Sequence, residues 1–506
     1  MYQALLTRRY LTSKVMPLLA SFAVLLCVAT ELIVWSVMGG FLTMLLSSGR
    51  MFIGDVSISW PNTGFAHYGD LVQRLEADPR IAAAAPTIET YGMMKIPPID
   101  QVETVMIKGI EPESFDRVAG YYNTLYWKPV PPPKGNKPVE DFRADPKNTP
   151  GMEASAQAGR RLAVVDPELG REVPAVVPGI EVSGYNERMP GGWIDPRFFL
   201  PFNKVTIGVF PLDRKGGWVE PVAAQLPVAN EFRTMFYDAD ANVVLIGLDK
   251  LQSMLHMDEA KTASAPYADI REDGTTHLVT PEPKGTQPAR VTAVLVRGKN
   301  TDSPRGLAEL KRRCAEVYAE FAAAHPGEVP SADSIMIRTW EDRNSTLVGA
   351  VKKEIGLVMF IFGVIALTSV FLVLAIFWSM VSEKTRDIGV LRALGASRAG
   401  VAWLWVRYGL AIGLVGSILG LGAALLIVTN INPIHDWLGR TTASLFGEAF
   451  YIWDPRVYVF TEIPHDVDPL KAAIIFVSGV LASTVGALIP AARAARMRPV
   501  QALRFE

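Results

Sequence analysis

Four windows of this chain are long and apolar enough to cross a bilayer, and they constrain the fold more than any other feature. Val15–Leu46 is interrupted only by Glu31, Ile355–Ser382 carries no charge, and Tyr408–Ile434 and Ala472–Ala492 follow. A spanning helix needs about 20 such residues. Lipid offers no water to open backbone groups, so all four windows are expected to be helices.

Lysine and arginine in short flanking segments mark the cytoplasmic side. Arg8, Arg9 and Lys14 precede the first window; Lys384, Arg386, Arg392 and Arg398 lie between the second and third; Arg493, Arg496, Arg498 and Arg504 follow the fourth. The stretch from His435 to Pro469 carries two arginines against six acidic residues, which places it outside. The expected division is a cytoplasmic segment 1–14, a first span 15–46, an outer domain 47–351 and a second span 352–382. A cytoplasmic loop 383–402, a third span 403–434, an outer loop 435–470, a fourth span 471–492 and a cytoplasmic tail 493–506 complete it. The apolar run at the start exceeds a cleaved signal segment and reads as an uncleaved anchor.

The outer block is patterned, not low in complexity. "GDVSISW", "ETVMIKGI" and "ARVTAVLVRG" alternate as strands, while "YGDLVQRLEADP" and "SPRGLAELKRRCAEVYAEFAAAHPGE" carry helical periodicity, the latter stopped by His-Pro-Gly. The fold class is therefore a four-helix membrane protein with a large α+β domain between helices 1 and 2. Two proline-rich stretches, "WKPVPPPKGNKPVEDFRADPKNTPG" and "EDGTTHLVTPEPKGTQPA", are expected on the surface, the first of them mobile.

A net charge of −1 over 506 residues points to no nucleic-acid partner. Cys27 falls in an apolar run and Cys314 in a polar region, so no disulfide between them is expected. The chain has no phosphate-cradling G-x-x-x-x-G-K-[ST], no H-E-x-x-H and no G-x-S-x-G, and its six histidines are scattered. No catalytic residue and no metal ligand is assigned from sequence, and ATP, if used, must be bound by another chain.

The segment "VSEKTRDIGVLRALGAS", Val381 to Ser397, interrupts two apolar runs with charge. As a helix over Glu383–Leu394 it puts Ile388, Leu391 and Leu394 on one side and spreads Lys384, Arg386, Asp387 and Arg392 over the rest. Gly395 can end it in a left-handed conformation. From composition alone, a topology signal with an interfacial helix and a docking element are both open.

The same segment resembles the signature loop of ABC-transporter permeases of the macrolide-exporter, cell-division and lipoprotein-releasing types. "SVMGGF" at Ser36–Phe41, "FRTMFYDADANVVLIGLDKLQSML", "RTWEDRNSTLVGAVKKE", "VYVFTEIPHDVDPLKAA" and the tail "LIPAARAARMRPVQALRFE" are similar to the lipoprotein-releasing permeases in particular. Gly39 stands where that group usually has Asn, and "VSGYNERMPGGWIDPRFFL" departs from its pattern. The resemblance implies that Glu383, Lys384, Thr385, Arg386, Asp387, Ile388, Leu391, Arg392, Leu394, Gly395 and Ala396 form the element that docks in a groove of the ATPase.

It further implies a dimer of ABC ATPase subunits carrying ATP and Mg, a second permease copy, identical or related, a periplasmic lipoprotein carrier and membrane lipids as partners, with no cofactor on this chain. An efflux permease with an adaptor and outer-membrane channel, or a non-transporting regulator of a periplasmic partner, shares the same loop. Glu31 stands either on the wall of a substrate cavity between permease copies or near a hydrated boundary of a helix longer than the bilayer. Glycines 409, 413, 416, 420, 422, 479 and 486 are expected to let helices approach closely.

Overall fold

The computed structural model describes residues 15–50, 52–97, 101–132, 140–167, 170–189, 192–196, 201–212, 217, 219–262, 267–270, 276–279, 285–301, 303–447, 451, 453–454 and 463–498. Arg8, Arg9, Lys14, residues 133–139 of the first proline-rich stretch, residues 455–462 of the outer loop and the tail beyond Arg498 lie outside these. The chain divides into two units, Leu45–Ser345 with Pro455–Thr461, and the remainder.

The second of these is helical. Among the described residues four helices are long and apolar enough to span a membrane: Met16–Met44, Val348–Glu383, Arg398–Thr429 and Pro469–Arg496. The third begins at Arg398, well before the apolar window, and gives way at Asn430. Ile434 belongs to a further helix, Ile431–Phe446, inside what reads from sequence as a third span and a loop. Asn and Pro at Asn430, Asn432 and Pro433 interrupt the apolar run there, which accounts for the break.

Glycine sets the packing of this unit. Ser483 Oγ donates to the Gly409 carbonyl at 2.9 Å, a close approach of the third and fourth spans. A Cβ on Gly416 would lie 2.7 Å from Val24 Cβ, and one on Gly420 2.8 Å from the Leu25 carbonyl oxygen. Gly413, Gly479 and Gly486 are similarly confined, whereas Gly422 has open space in front of it and plays no such part. The core so formed joins Val24, Val28 and Leu32 to Val373, Phe377, Trp405, Ile412 and Ala487.

The other unit is built on one nine-stranded mixed sheet. Its strands are β1 (Val56–Ser59), β2 (Ile81–Ile96), β3 (Gln101–Ile110), β4 (Val176–Pro178), β5 (Lys204–Val209), β6 (Val222–Pro227), β7 (Val243–Gly247), β8 (Ala293–Gly298) and β9 (Met336–Thr339). They run in the order β9-β1-β8-β2-β3-β7-β4, with β5 joining β2 to β6. β7 lies parallel to β3; the other pairings are antiparallel.

The long amphipathic helix is Pro304–Ala324 and buries Leu307, Leu310, Cys314, Val317, Tyr318 and Phe321, the stripe its periodicity dictates. Phe52, Phe115, Val118, Leu245 and Leu295 belong to a core of this domain. Cys27 and Cys314 are both free thiols.

The proline-rich stretch is less loose than its composition suggests. Phe142 from it, Met152 just after it, Ile194 from the divergent segment and Ile180 just before that segment close over the fully buried Trp127, the stretch's first residue, in a satellite core. Arg143 lies 4.0 Å from the Tyr126 ring centroid and pairs with Asp141 at 2.8 Å. The expectation of a mobile surface insert is therefore corrected for its described residues: aromatic side chains among the prolines supply enough apolar area to order it.

Beneath that core Glu231 is fully buried, accepting from Trp127 Nε1 at 2.6 Å and Asn186 Nδ2 at 3.1 Å. Burial pushes its carboxyl from 4.5 up to about 8, against the lowering effect of those two donors. The folded domain thus keeps a proton that the unfolded chain releases above about 4.5. Asp240, raised from 3.8 to about 6 by burial, acts in the same sense.

Stability should fall as pH rises through the window from about 4.5 to about 8 and level off above it. A Glu231→Gln variant should flatten that dependence, measured as melting temperature against pH. An unchanged slope in the variant would show that Glu231 is not held neutral.

Candidate functional site

The loop between the second and third spans is a capped helix. The long second helix ends at Glu383, Lys384 breaks it (φ −97°, ψ 12°), and a new helix runs from Thr385 to Ala393. Thr385 Oγ1 donates to the Ser382 carbonyl at 2.8 Å across the break.

At the far end Gly395 adopts φ +94°, its N–H donating to Arg392 O at 3.2 Å while Ala396 N–H donates to Leu391 O at 3.0 Å. Those paired bonds are the Schellman stop, which a left-handed glycine makes cheap. Arg392 Nη1 then donates to Ala396 O at 2.6 Å, and Ser397 Oγ accepts from Gly400 N at 3.0 Å to start the third span. Lys384 and Asp387 pair at 2.7 Å along the same helix.

Burial divides its side chains differently from what the sequence implies. Ile388 is 2% exposed and belongs to the core of its own helical unit with Met380, Val381, Val401 and Trp405. It anchors the loop helix and is not available to a partner, which corrects its assignment to a docking face. Leu391, Lys384, Thr385, Arg392 and Ala396 are half-buried; Glu383, Arg386, Asp387 and Gly395 are exposed.

Leu394 is 81% exposed and Val390 44%. A three-residue count from Ile388 drifts from the inward stripe at Ile388 to the exposed Leu394 and passes over the exposed Val390 and Ala393. Counting by fours from Arg386 finds Val390 and then Leu394 on the outward one. Arg493 backs the region, lying 4.1 Å from the Trp378 ring centroid.

Glu31 sits half-buried on the first helix, Val15–Arg50, with no hydrogen bond or ion pair to the described residues. At 1.5 Å per residue that helix is about 54 Å long, well beyond a bilayer core of about 30 Å. Arg407 is exposed on the third.

The α+β domain holds the two chain segments that lead toward the spans by buried charge. Asp55, fully buried, accepts from Arg50 Nε at 2.9 Å and Arg50 Nη2 at 2.6 Å on one oxygen. On the other it accepts from Thr301 Oγ1 at 2.7 Å and Gly298 N at 2.9 Å, and its carbonyl accepts from Trp340 N at 3.1 Å.

Glu89 receives Lys108 Nζ at 2.9 Å and the Arg343 guanidinium. Burial alone would raise Glu89, but those two cations override it and hold the carboxyl down at about 2. Trp340–Arg343 is itself a short helix closed by a Thr339–Asp342 capping box, and the second spanning helix begins separately at Ser345.

Four helices long and apolar enough to span a bilayer, a capped helix between the second and third and a large α+β domain between the first and second define a multi-pass membrane architecture. Residues 359–499 match the family model described as FtsX-like permease C-terminal.

The chain is 30% identical over 180 residues to the lipoprotein-releasing system transmembrane protein LolC of Neisseria meningitidis serogroup B, covering 35% of this chain and 42% of that one. It is 30% identical to LolE of Haemophilus influenzae over 24% of this chain and 28% of that one. To the macrolide export ATP-binding/permease protein MacB of Hyphomonas neptunium it is 29% identical, over 38% and 25%. These matches span less than half the length of each relative. Among solved structures the periplasmic region of MacB from Actinobacillus actinomycetemcomitans is similar at TM-score 0.26 and 10% identity, covering 58% of this chain and 94% of that one.

Proposed function

We propose that this chain is the permease subunit of an ABC transporter driven by a separate ATPase, and that it extracts lipoproteins from an inner membrane for transfer to a periplasmic carrier. The observation that carries the first part is the loop helix Thr385–Ala393. It is stopped at both ends, anchored to the helical unit through Ile388, and presents Val390 and Leu394 beside Arg386 and Asp387 outward. Such a surface suits a groove that buries two apolar side chains and orients by charge. Partial similarity to LolC and LolE proteins supports the cargo.

Two permease copies, identical or related, would assemble with two ATPase subunits that bind ATP and Mg. The second spanning helix favours this, because it leaves Leu357, Phe360, Val364, Leu367 and Phe371 exposed. Lipid or a second copy must cover them. Both termini would be cytoplasmic and the α+β domain periplasmic. The length of the first helix supports a position for Glu31 toward a hydrated boundary, about 24 Å along from Val15.

The energetics fit a machine of this kind. Moving one acyl chain of about fifteen methylenes from lipid into water costs roughly 12 kcal/mol. Cargo must therefore pass between apolar surfaces, with ATP binding elsewhere supplying the work.

Depletion of the chain followed by fractionation of lipoproteins tests the cargo. Retention of outer-membrane lipoproteins in the inner membrane is expected. Normal delivery would overturn the lipoprotein reading, and with a loss of drug resistance would favour the efflux reading to which the similarity to MacB also lends support.

A further inference from the structure

The α+β domain brings two of the scattered histidines face to face. His67 lies between the strand Phe65–Ala66 and the helix Tyr68–Glu76, at φ +57°, a left-handed conformation uncommon for any residue but glycine. His325 ends the helix Pro304–Ala324, and the turn after it, with Gly327 at φ +81°, swings Glu328 back beside the rings. The two imidazoles stack with centroids 4.3 Å apart and planes 9° from parallel.

His67 Nε2 is 2.5 Å from Glu328 Oε2, and His325 Nε2 is 3.0 Å from Asp70 Oδ2. Asp70 is itself held by Arg74 Nε at 3.0 Å to both oxygens. Desolvation raises its pKa, but the bonds from His325 and Arg74 win and leave it below the usual carboxylate range.

We propose that His67, His325 and Glu328 are the protein ligands of a divalent transition-metal site of zinc(II) type, with Asp70 as its positioning carboxylate. One ring nitrogen of each histidine and one oxygen of Glu328 already lie within 4.8 Å of one another. Tetrahedral zinc, about 2.0–2.1 Å from nitrogen and oxygen donors, needs them roughly 3.3 Å apart. A metal lies in the plane of each imidazole it binds, so on loading the two stacked rings turn toward a common point, while Glu328, 62% exposed and now 2.5 Å from His67 Nε2, draws back to make room for the ion.

Two imidazoles and a carboxylate make a borderline donor set that suits zinc, copper(II) or nickel and not magnesium or calcium. Asp70, by accepting from His325 Nε2, fixes the tautomer that leaves Nδ1 with its lone pair, the carboxylate–histidine arrangement of metal sites. Three protein ligands leave a fourth position for water. The cation would clip the start of one helix to the end of another that is remote in sequence. The site is independent of the transport reading and is tested without the ATPase.

The experiment uses the full chain, purified in detergent without a histidine tag, stripped with chelator and titrated with zinc chloride against a chromophoric indicator. One saturable equivalent per chain is expected, with Kd below about 10 µM and a melting temperature raised by on the order of 5 °C. Glu328→Gln, on the surface and harmless to folding, should weaken binding at least tenfold. Asp70→Asn should weaken it about tenfold through the histidine it orients, and a His67→Gln/His325→Gln double variant should abolish both binding and the melting shift. Zinc affinity unchanged from the natural chain in Glu328→Gln or in the double variant, or no saturable binding by the natural chain, would overturn the site.

Discussion

Asp55→Ala should cost the α+β domain about 3–5 kcal/mol, the largest loss expected from any single substitution in it. The carboxylate is fully buried and satisfies three donor groups at once: the Arg50 guanidinium, the Thr301 hydroxyl and the Gly298 amide. Alanine takes the carboxylate away from all three; Arg50, whose side chain is only 19% exposed, keeps the Thr301 hydroxyl at 2.9 Å but loses its buried counter-charge and regains little water.

Asp55→Asn keeps one acceptor oxygen and should lose about half as much, and Thr301→Val about 1 kcal/mol. Denaturant unfolding of the purified chain, followed by protease susceptibility of the domain, reads the order of the three. An Asp55→Ala variant within 1 kcal/mol of the natural chain would show that the network is not what holds Arg50. The position matters beyond stability. Arg50 closes the first long helix and Trp340 leads to the second, and both bond to the same residue.

The second large effect lies at the other end. Leu394→Asp should reduce stimulation of the partner ATPase more than tenfold while leaving insertion intact. Its side chain is 81% exposed and touches little of its own chain, so a charge there is harmless until a groove has to bury it. Gly395→Pro should do the same by a different route. Proline cannot reach φ +94° and lacks the N–H that bonds Arg392 O, so the stop is lost and Leu394 is re-aimed.

Ile388→Asp is the contrast. Buried at 2% exposure among Val381, Val401 and Trp405, it should lower the amount of folded protein instead. Reconstitution with the ATPase and comparison of basal with stimulated hydrolysis separates the cases. Full stimulation by both Leu394→Asp and Gly395→Pro would sink the docking assignment.

The reading from sequence succeeds where structure is local. The spans, the strands at "GDVSISW" and "ETVMIKGI" and the long helix stopped at His-Pro-Gly are periodicities of two or 3.6 residues bounded by breakers, and these survive any tertiary arrangement. The loop helix was legible for the same reason, down to the glycine that ends it.

Its faces were not. Ile388 and Leu394 look alike in sequence, and only the helices packed against Ile388 distinguish anchor from contact. The order of the proline-rich stretch is not legible in it, because its Trp127 and Phe142 meet over Ile180 and Ile194, which the fold brings from further along the chain.

What the sequence by itself determined is the set of elements: four apolar helices, an α+β block between the first two, and a charged helix with a defined stop. Each follows from the hydrophobic period and from backbone chemistry within a few residues. The tertiary structure alone decided which glycines meet a neighbouring helix and which, like Gly422, do not. It also decided that Asp55 gathers Arg50, Gly298 and Thr301, and that His67 and His325 stack. These depend on residues remote in the chain being brought within a few ångströms, a distance that no local pattern encodes.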